Sequence, residues 1–471
     1  MEPKRRDGRR GSVKTKFGIT KLFVIALTFL VIIVGCSPAP KASESSQPPA
    51  SSGNASGNTS GGAVDLNSLD WSKLDDPALK NEEINLLVVD TEGDLTKLLQ
   101  KFSDETGIKL KVSATDYNSL FNKITTAALS NSSEFDLIEM DTIWAGQFLA
   151  GNLVEDLTNV VPADVQSGFT QSSLSSVKYN DKLAAMPYFS STKHFYWNMK
   201  MLKDAGYDAP PKTWTEFREM SKKLTKGGKY ASGWSWKQAE SLNCDFVGMV
   251  YSFGGSFFKQ DGTLEVNSEG AVKALQYMTD LIRNDKTIDP ASLQWTEDDV
   301  SNAFRAGKIA MMSNWEGQFP DVNDPSKSQI VDQADVGLLP GEGSVVSASV
   351  TGSEGIAIMK SSKHKLASLA FLKWMASKSF QEPNFTERGT YPVLQSLYED
   401  PKVKEADKTQ TIDKIMAQFE YGQNRPNGPG YVEWADILSA EVFKALAGNK
   451  SPKQALDDAA SKIDQAIKKA Q

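Results

Sequence analysis

Between Ile84 and Met140 the chain alternates strand and helix, and that order restricts the kind of sheet it can build. Ile84-Asn85-Leu86-Leu87-Val88-Val89 is a short apolar run of the length expected for a buried strand. Asp94 can cap a helix whose apolar face is Leu95, Leu98, Leu99 and Phe102, and Gly107 ends it. Ile108, Leu110 and Val112 alternate in a second strand, a helix follows from about Asn118 to Leu129, and Phe135 to Met140 forms a third strand. This succession implies parallel pairing in an open α/β sheet with right-handed crossovers. Ligands of such sheets sit beyond the carboxyl ends of the strands. The rule points to the stretch holding Glu92 and Asp94, and to the stretch from Asp141 to Trp144.

The segment before this body has a different character. Its first 21 residues carry eight basic side chains and two acids, and Leu22 to Val34 is an apolar run broken only by Thr28. Thirteen residues are too few to span a bilayer, which takes about 20. A basic start and a short apolar core are the parts of a secretory signal peptide, assigned here to residues 1–35. Residues 36–64 are mostly Ser, Gly, Pro, Ala and Asn, which cannot bury apolar surface and read as a flexible tether with a reach of about 30 Å. A lead-in segment, 65–83, joins the tether to the body. Removing residues 1–35 leaves 44 basic and 57 acidic side chains, a net charge of about −13. So acidic a surface argues against nucleic acid and against basic-patch binding to anionic lipid.

Ile33-Val34-Gly35-Cys36 resembles a lipobox, which implies a diacylglycerol on the Cys36 sulfur and a freed amine open to acylation. At about 0.8 kcal/mol per buried CH₂, two acyl chains hold a soluble body on a membrane where one would not. Only Cys244 then remains, so no intramolecular disulfide is available, and Cys244 reads as a small buried residue.

The body, about 400 residues, is too long for one hydrophobic core and calls for two lobes. Lys182 to Asn198 reads as extended. Helices fit Ala271–Asn284, Asp298–Ala306, His364–Ser377, Tyr431–Ala447 and Pro452–Ala470, with apolar strands at Gly307–Met312 and Gly352–Met359. With these elements in place, the body resembles a family 1 extracellular solute-binding protein, the group containing maltose-binding protein. Six separated stretches carry the likeness: Thr106-Gly107-Ile108; Phe135-Asp136-Leu137-Ile138 with Asp141; Met186-Pro187-Tyr188 with Pro210-Pro211-Lys212-Thr213-Trp214; Gly307 to Met312 with Trp315; Gly352 to Ile358; and Gly389-x-Tyr391-Pro392 with Ser451-Pro452. Trp197 stands where the family usually has Tyr, and Gly352-Ser353 where it has Gly-Gly.

The resemblance implies a periplasmic-binding-protein-like α/β fold, each lobe an open sheet flanked by helices, with a cleft between them. Residues 84–190 plus 307–352 would form lobe one, and 191–306 plus 353–471 lobe two. The crossings would lie near Ser190–Asn198, Ala303–Met312 and Gly352–Met359. It also implies capture of a sugar or short oligosaccharide and delivery to the permease subunits of an ABC importer, by a monomer held on the outer face of the cell membrane.

Sugar hydroxyls need carboxylates, amides or Arg, and sugar C–H faces stack on aromatic rings. Asp141, at a strand end, is the leading acceptor, its alternative role being a helix cap. Trp315, in a loop after a buried strand, is placed in the cleft by the resemblance. Trp144 follows Asp141 by one turn. Trp234 and Trp236 flank Ser235 and face opposite ways if extended, and Trp236 is chosen because Gln238 and Glu240 follow it. Trp434, Glu92, Arg388 and Arg425 complete the candidates. Trp214 and Trp374 read as core.

Enzyme readings find little support. The body has only two His, His194 and His364, and no zinc pattern, nucleophile elbow or phosphate loop. Asp321-x-Asn323 lacks the glycine of a calcium loop. No metal or cofactor is expected. A surface-anchored carbohydrate-active enzyme, an adhesin, or a binder of a non-sugar solute remain the alternatives.

Overall fold

The computed structural model describes residue 66 and residues 71–470, apart from 75, 76, 90–92 and 260. The signal peptide, Cys36, the tether and Glu92 lie outside the described residues.

Nine strands build the two main sheets: β1 (Glu83–Val89), β2 (Lys109–Thr115), β3 (Leu137–Asp141), β4 (Met186–Phe189), β5 (Lys193–Asn198), β6 (Tyr230–Ser232), β7 (Ile309–Trp315), β8 (Ala334–Gly337) and β9 (Glu354–Ile358). The first sheet runs β2-β1-β3-β9-β4. β1 pairs parallel with β2 and β3, as the strand–helix alternation requires, whereas β9 is antiparallel to both β3 and β4. The second sheet runs β8-β5-β7-β6, with only β6–β7 parallel.

This pairing corrects the expected lobe boundaries. Residues 307–352 were assigned to lobe one, yet β7 lies between β5 and β6 in the second sheet, and β8 is on its edge. Residues 353–471 were assigned wholly to lobe two, yet β9 is an inner strand of the first sheet. Ala303–Met312 is not a crossing either, since the helix Glu297–Arg305 packs on β7 within one unit. An apolar run announces a buried strand, but its hydrogen-bond partners are set by long-range topology that the run does not carry.

The helices match their sequence signals closely. Trp214–Leu224 opens with a capping box in which Thr213 and Glu216 satisfy each other's backbone N–H groups. The helix after β1 runs Gly93–Thr106, with Leu95, Leu98, Leu99 and Phe102 buried, and Gly107 ends it at φ 76°.

The chain passes between the sheets at residues 190–192 and again at residues 351–353, and hydrogen bonds tie the two passages together. Ser191 O accepts from Gly352 N–H and Thr351 Oγ1, both at 3.0 Å, and Ser191 N–H donates to Ser353 Oγ at 2.9 Å. Ser349 Oγ donates to Lys193 O at 2.6 Å. A third segment lies beside them, where Ser190 N–H and Oγ donate to Tyr391 O and Pro392 O.

Candidate functional site

Strand ends from both sheets converge beside these passages. β7 terminates in Trp315, whose backbone is held on two sides: Asn314 Oδ1 accepts its N–H at 2.9 Å, and Tyr196 OH donates to its carbonyl at 2.6 Å. Its ring is half-buried, with Lys193 Nζ 5.3 Å from the centroid and Gly352 against its edge.

β3 terminates in Asp141. One oxygen accepts the Ile143 N–H at 3.3 Å, capping the turn Thr142–Trp144, and takes Arg425 Nη2 at 2.8 Å. The other accepts the Tyr117 hydroxyl at 2.5 Å. Cap and cleft carboxylate, offered as alternatives by the sequence, are thus one side chain. Arg425 is buried and also reaches Glu240 Oε1 at 2.9 Å, where the Tyr431 hydroxyl donates at 2.7 Å. Burial alone would disfavour the guanidinium charge, but Asp141 leads the groups that hold it well above its usual range.

These groups line a cleft of ≈ 440 Å³ between the sheets. Tyr117, Asp141 and Glu354 come from the first sheet and the loops around it, and Trp315, Glu297 and Glu240 from the second sheet and its helices. Lys193, fully buried behind Trp315, pairs with Asp245 at 2.7 Å and Glu297 at 3.3 Å. Burial opposes its charge, and the two carboxylates outweigh that. Cys244 borders the cleft, but burial pushes its thiol up to about 12, which keeps it neutral and poorly nucleophilic.

Of the candidates read from sequence, Asp141, Trp315, Glu240 and Arg425 meet here. Four others do not. Trp236 is fully buried, stacked on Trp234 with centroids 5.7 Å apart, because both indoles turn into the core of the second unit. Trp144 is buried against Tyr117, Phe121 and Phe148, its turn directing the ring inward. Trp434 is buried in the helix Tyr431–Leu446 and borders a separate pocket with Tyr179 and Ile467. Gln238 is exposed outside the cleft lining. A fifth, Arg388, bonds Asn384 and the Tyr188 hydroxyl, and also lies outside the lining.

The sequence reading missed Tyr117, Glu297 and Glu354. Glu354 had a signal: it is a charge at the head of the apolar run Gly355-Ile356-Ala357-Ile358. Glu139 is a similar charge inside β3, two residues before Asp141 and therefore on the same face.

Two α/β units joined by adjacent passages around a polar, aromatic-floored cleft define the periplasmic-binding-protein-like class. The chain belongs to the bacterial extracellular solute-binding protein family, whose sequence pattern matches residues 97–411. It is 27% identical over 338 residues to a probable ABC transporter-binding protein of Deinococcus radiodurans, covering 69% of this chain and 79% of that protein. It is similar to T. maritima MalE3 solved with maltose, at TM-score 0.72 and 27% identity, covering 81% of this chain and 99% of that one. It is equally similar to an ABC transporter solute binding protein of Agrobacterium radiobacter K84 in complex with ribitol, at TM-score 0.72 and 28% identity, covering 82% and 98%. Among the described residues no helix is long and apolar enough to cross a membrane.

Proposed function

We propose that this chain captures a sugar or sugar alcohol in the cleft between its two sheets and delivers it to the permease of an ABC importer. The observation that carries the reading is the pairing of one aromatic plate, Trp315, with a polar set of hydrogen-bonding groups, the buried Asp141 and Arg425 and the partly buried Glu240, across a cavity of sugar size. Trp315 would stack on a C–H face while the polar set receives hydroxyls. The maltose and ribitol found in the two solved relatives support this class of ligand. In this reading a lipid on Cys36 holds the protein at the outer face of the membrane, and closure of the sheets about the joined passages traps the solute.

Titration with a panel of mono- and oligosaccharides and polyols, followed by tryptophan fluorescence, tests capture. Small-angle scattering tests closure: a smaller radius of gyration with ligand is expected, and binding without compaction would favour the adhesin or enzyme alternative. Labelling with a palmitate analogue in the host should mark the wild type and leave Cys36→Ser unlabelled.

A further inference from the structure

The loop between Gln423 and Tyr431 lies across the seam between the two units. At both ends it belongs to the second unit. Gly422–Gln423 pairs with Ser349–Val350, and Gln423 O accepts the Thr351 N–H at 2.9 Å. The helix that follows, Tyr431–Leu446, packs on the helix Glu240–Ser252, whose Tyr251 hydroxyl donates to Asn424 O at 3.1 Å.

In its middle the loop is fastened to the first unit. Asn424 Nδ2 donates to Ser175 O at 3.0 Å, and Asn427 Nδ2 donates to Lys178 O at 3.0 Å. Ser175 lies on the helix Gln171–Ser176, which packs on β4 and β9, and Lys178 opens the short hairpin after it. Between the two amides Arg425 reaches Asp141 at the end of β3. The cation of the cleft is therefore carried by a segment whose flanks are both bonded to the opposite unit.

Gly146 shows that the first unit is shaped to receive this segment. It stands in the first turn of the helix Ala145–Ala150, where amides lack an acceptor within the helix, and its N–H donates to Asn427 O at 3.0 Å. A methyl group on Gly146 would stand 2.2 Å from that oxygen and 3.0 Å from Gly428 Cα and the Tyr179 ring. The position is helical, so no left-handed backbone calls for glycine, and alanine would suit the helix better. What glycine provides here is room for the loop.

We infer that residues 424–427 are a strap by which the first unit sets Arg425 in the solute wall, with Gly146 as its receiving position. Bringing the units together and assembling that wall are then one event. Rotation about the passages would lift the strap from Ser175, Lys178 and Gly146 and draw Arg425 away from Asp141. A solute touching both charged groups holds the strap down, so its binding favours the closed arrangement. Gly146, Asn424 and Asn427 are positioning residues that act through Arg425. This rests on the reading of the cleft as the solute site.

The first test uses the purified mature chain alone. The Gly146 amide reports on the strap, because Asn427 O is its acceptor. Replacing Asn424 and Asn427 together by Ala removes both side-chain fasteners and leaves Gly146 in place. Hydrogen exchange at Gly146 should then quicken on the order of tenfold, while the amides of Ile138 and Met140 in β3 exchange as in the wild type. Unchanged exchange at Gly146 overturns the strap.

The second test uses Gly146→Ala and whichever sugar or polyol of the panel binds. Stopped-flow fluorescence should show dissociation about fivefold faster or more, with association no slower, because the closed arrangement is less populated. The melting temperature of the variant without solute should not fall, since alanine suits the helix. A wild-type dissociation rate overturns the strap. A lower melting temperature would mean that the loop is seated at all times, and overturns its coupling to the solute. If nothing on the panel binds, the capture reading falls, and the exchange measurement still decides the strap.

Discussion

A methyl group placed on Gly352 would stand 2.6 Å from Cζ3 of Trp315, well inside van der Waals contact, so the ring rests directly on the backbone of the second passage. Gly352→Ala should push the indole away from its present seat. The expected result is at least a tenfold loss of solute affinity with secondary structure intact, read by calorimetry and circular dichroism. Trp315→Phe, which keeps a flat apolar plate, should lose less affinity than Trp315→Ala.

Arg425 answers one fully buried carboxylate and one partly buried one. Removing it strands Asp141, so Arg425→Met should lower unfolding free energy by about 3–5 kcal/mol. Adding Asp141→Asn should recover part of that loss, since the stranded charge is then gone. Urea denaturation of the two single variants and the double variant decides it, and strict additivity would disprove the coupling.

Trp236 offers the opposite contrast. It is fully buried, and its indole N–H has no partner among the described residues. Trp236→Phe removes ring volume but no hydrogen bond, so stability should fall by about 1–3 kcal/mol while affinity stays within twofold.

Glu316 lies beside the passages, accepting Ser191 Oγ at 3.1 Å and the Thr192 N–H at 3.0 Å. Burial raises its carboxyl from 4.5 to about 7, with those hydrogen bonds opposing. Below pH 4.5 the group is protonated both folded and unfolded. As pH rises to about 7 the unfolded chain releases its proton first, so the folded state loses stability relative to it, on the order of 3 kcal/mol. Glu316→Gln should remove this slope. Its melting temperature relative to wild type should therefore rise between pH 5 and pH 8, and a constant difference would refute the assignment.

How much of this was legible in the sequence depended on the range over which each feature is determined. Helices at Trp214 and Tyr431 and the parallel strands around Ile84 were readable because caps and apolar spacing are local. The sheet that holds Ile309–Trp315 was not, because the partners Tyr230 and Lys193 lie far away in sequence. The same division runs through the site. Asp141 and Trp315 announced themselves by ending strands, whereas Trp236 and Trp144 had suitable chemistry but faced inward, which depends on what packs against them. Glu354 was passed over as one residue of an apolar run, though a charge there needs explaining more than a Trp does.

The hydrogen-bonded knot of Ser191, Thr351 and Gly352 supports the Trp315 ring, so in the proposed closure about these passages the fulcrum and the load would nearly coincide. In any rotation, displacement grows with distance from the axis. A plate seated on the axis hardly shifts, while the outer rims of the two units sweep the longest arcs. On the proposed reading, the molecule would keep its grip on a small cargo almost unchanged while its outline changed most at the periphery, so an importer would read the shape of the rim rather than the cargo.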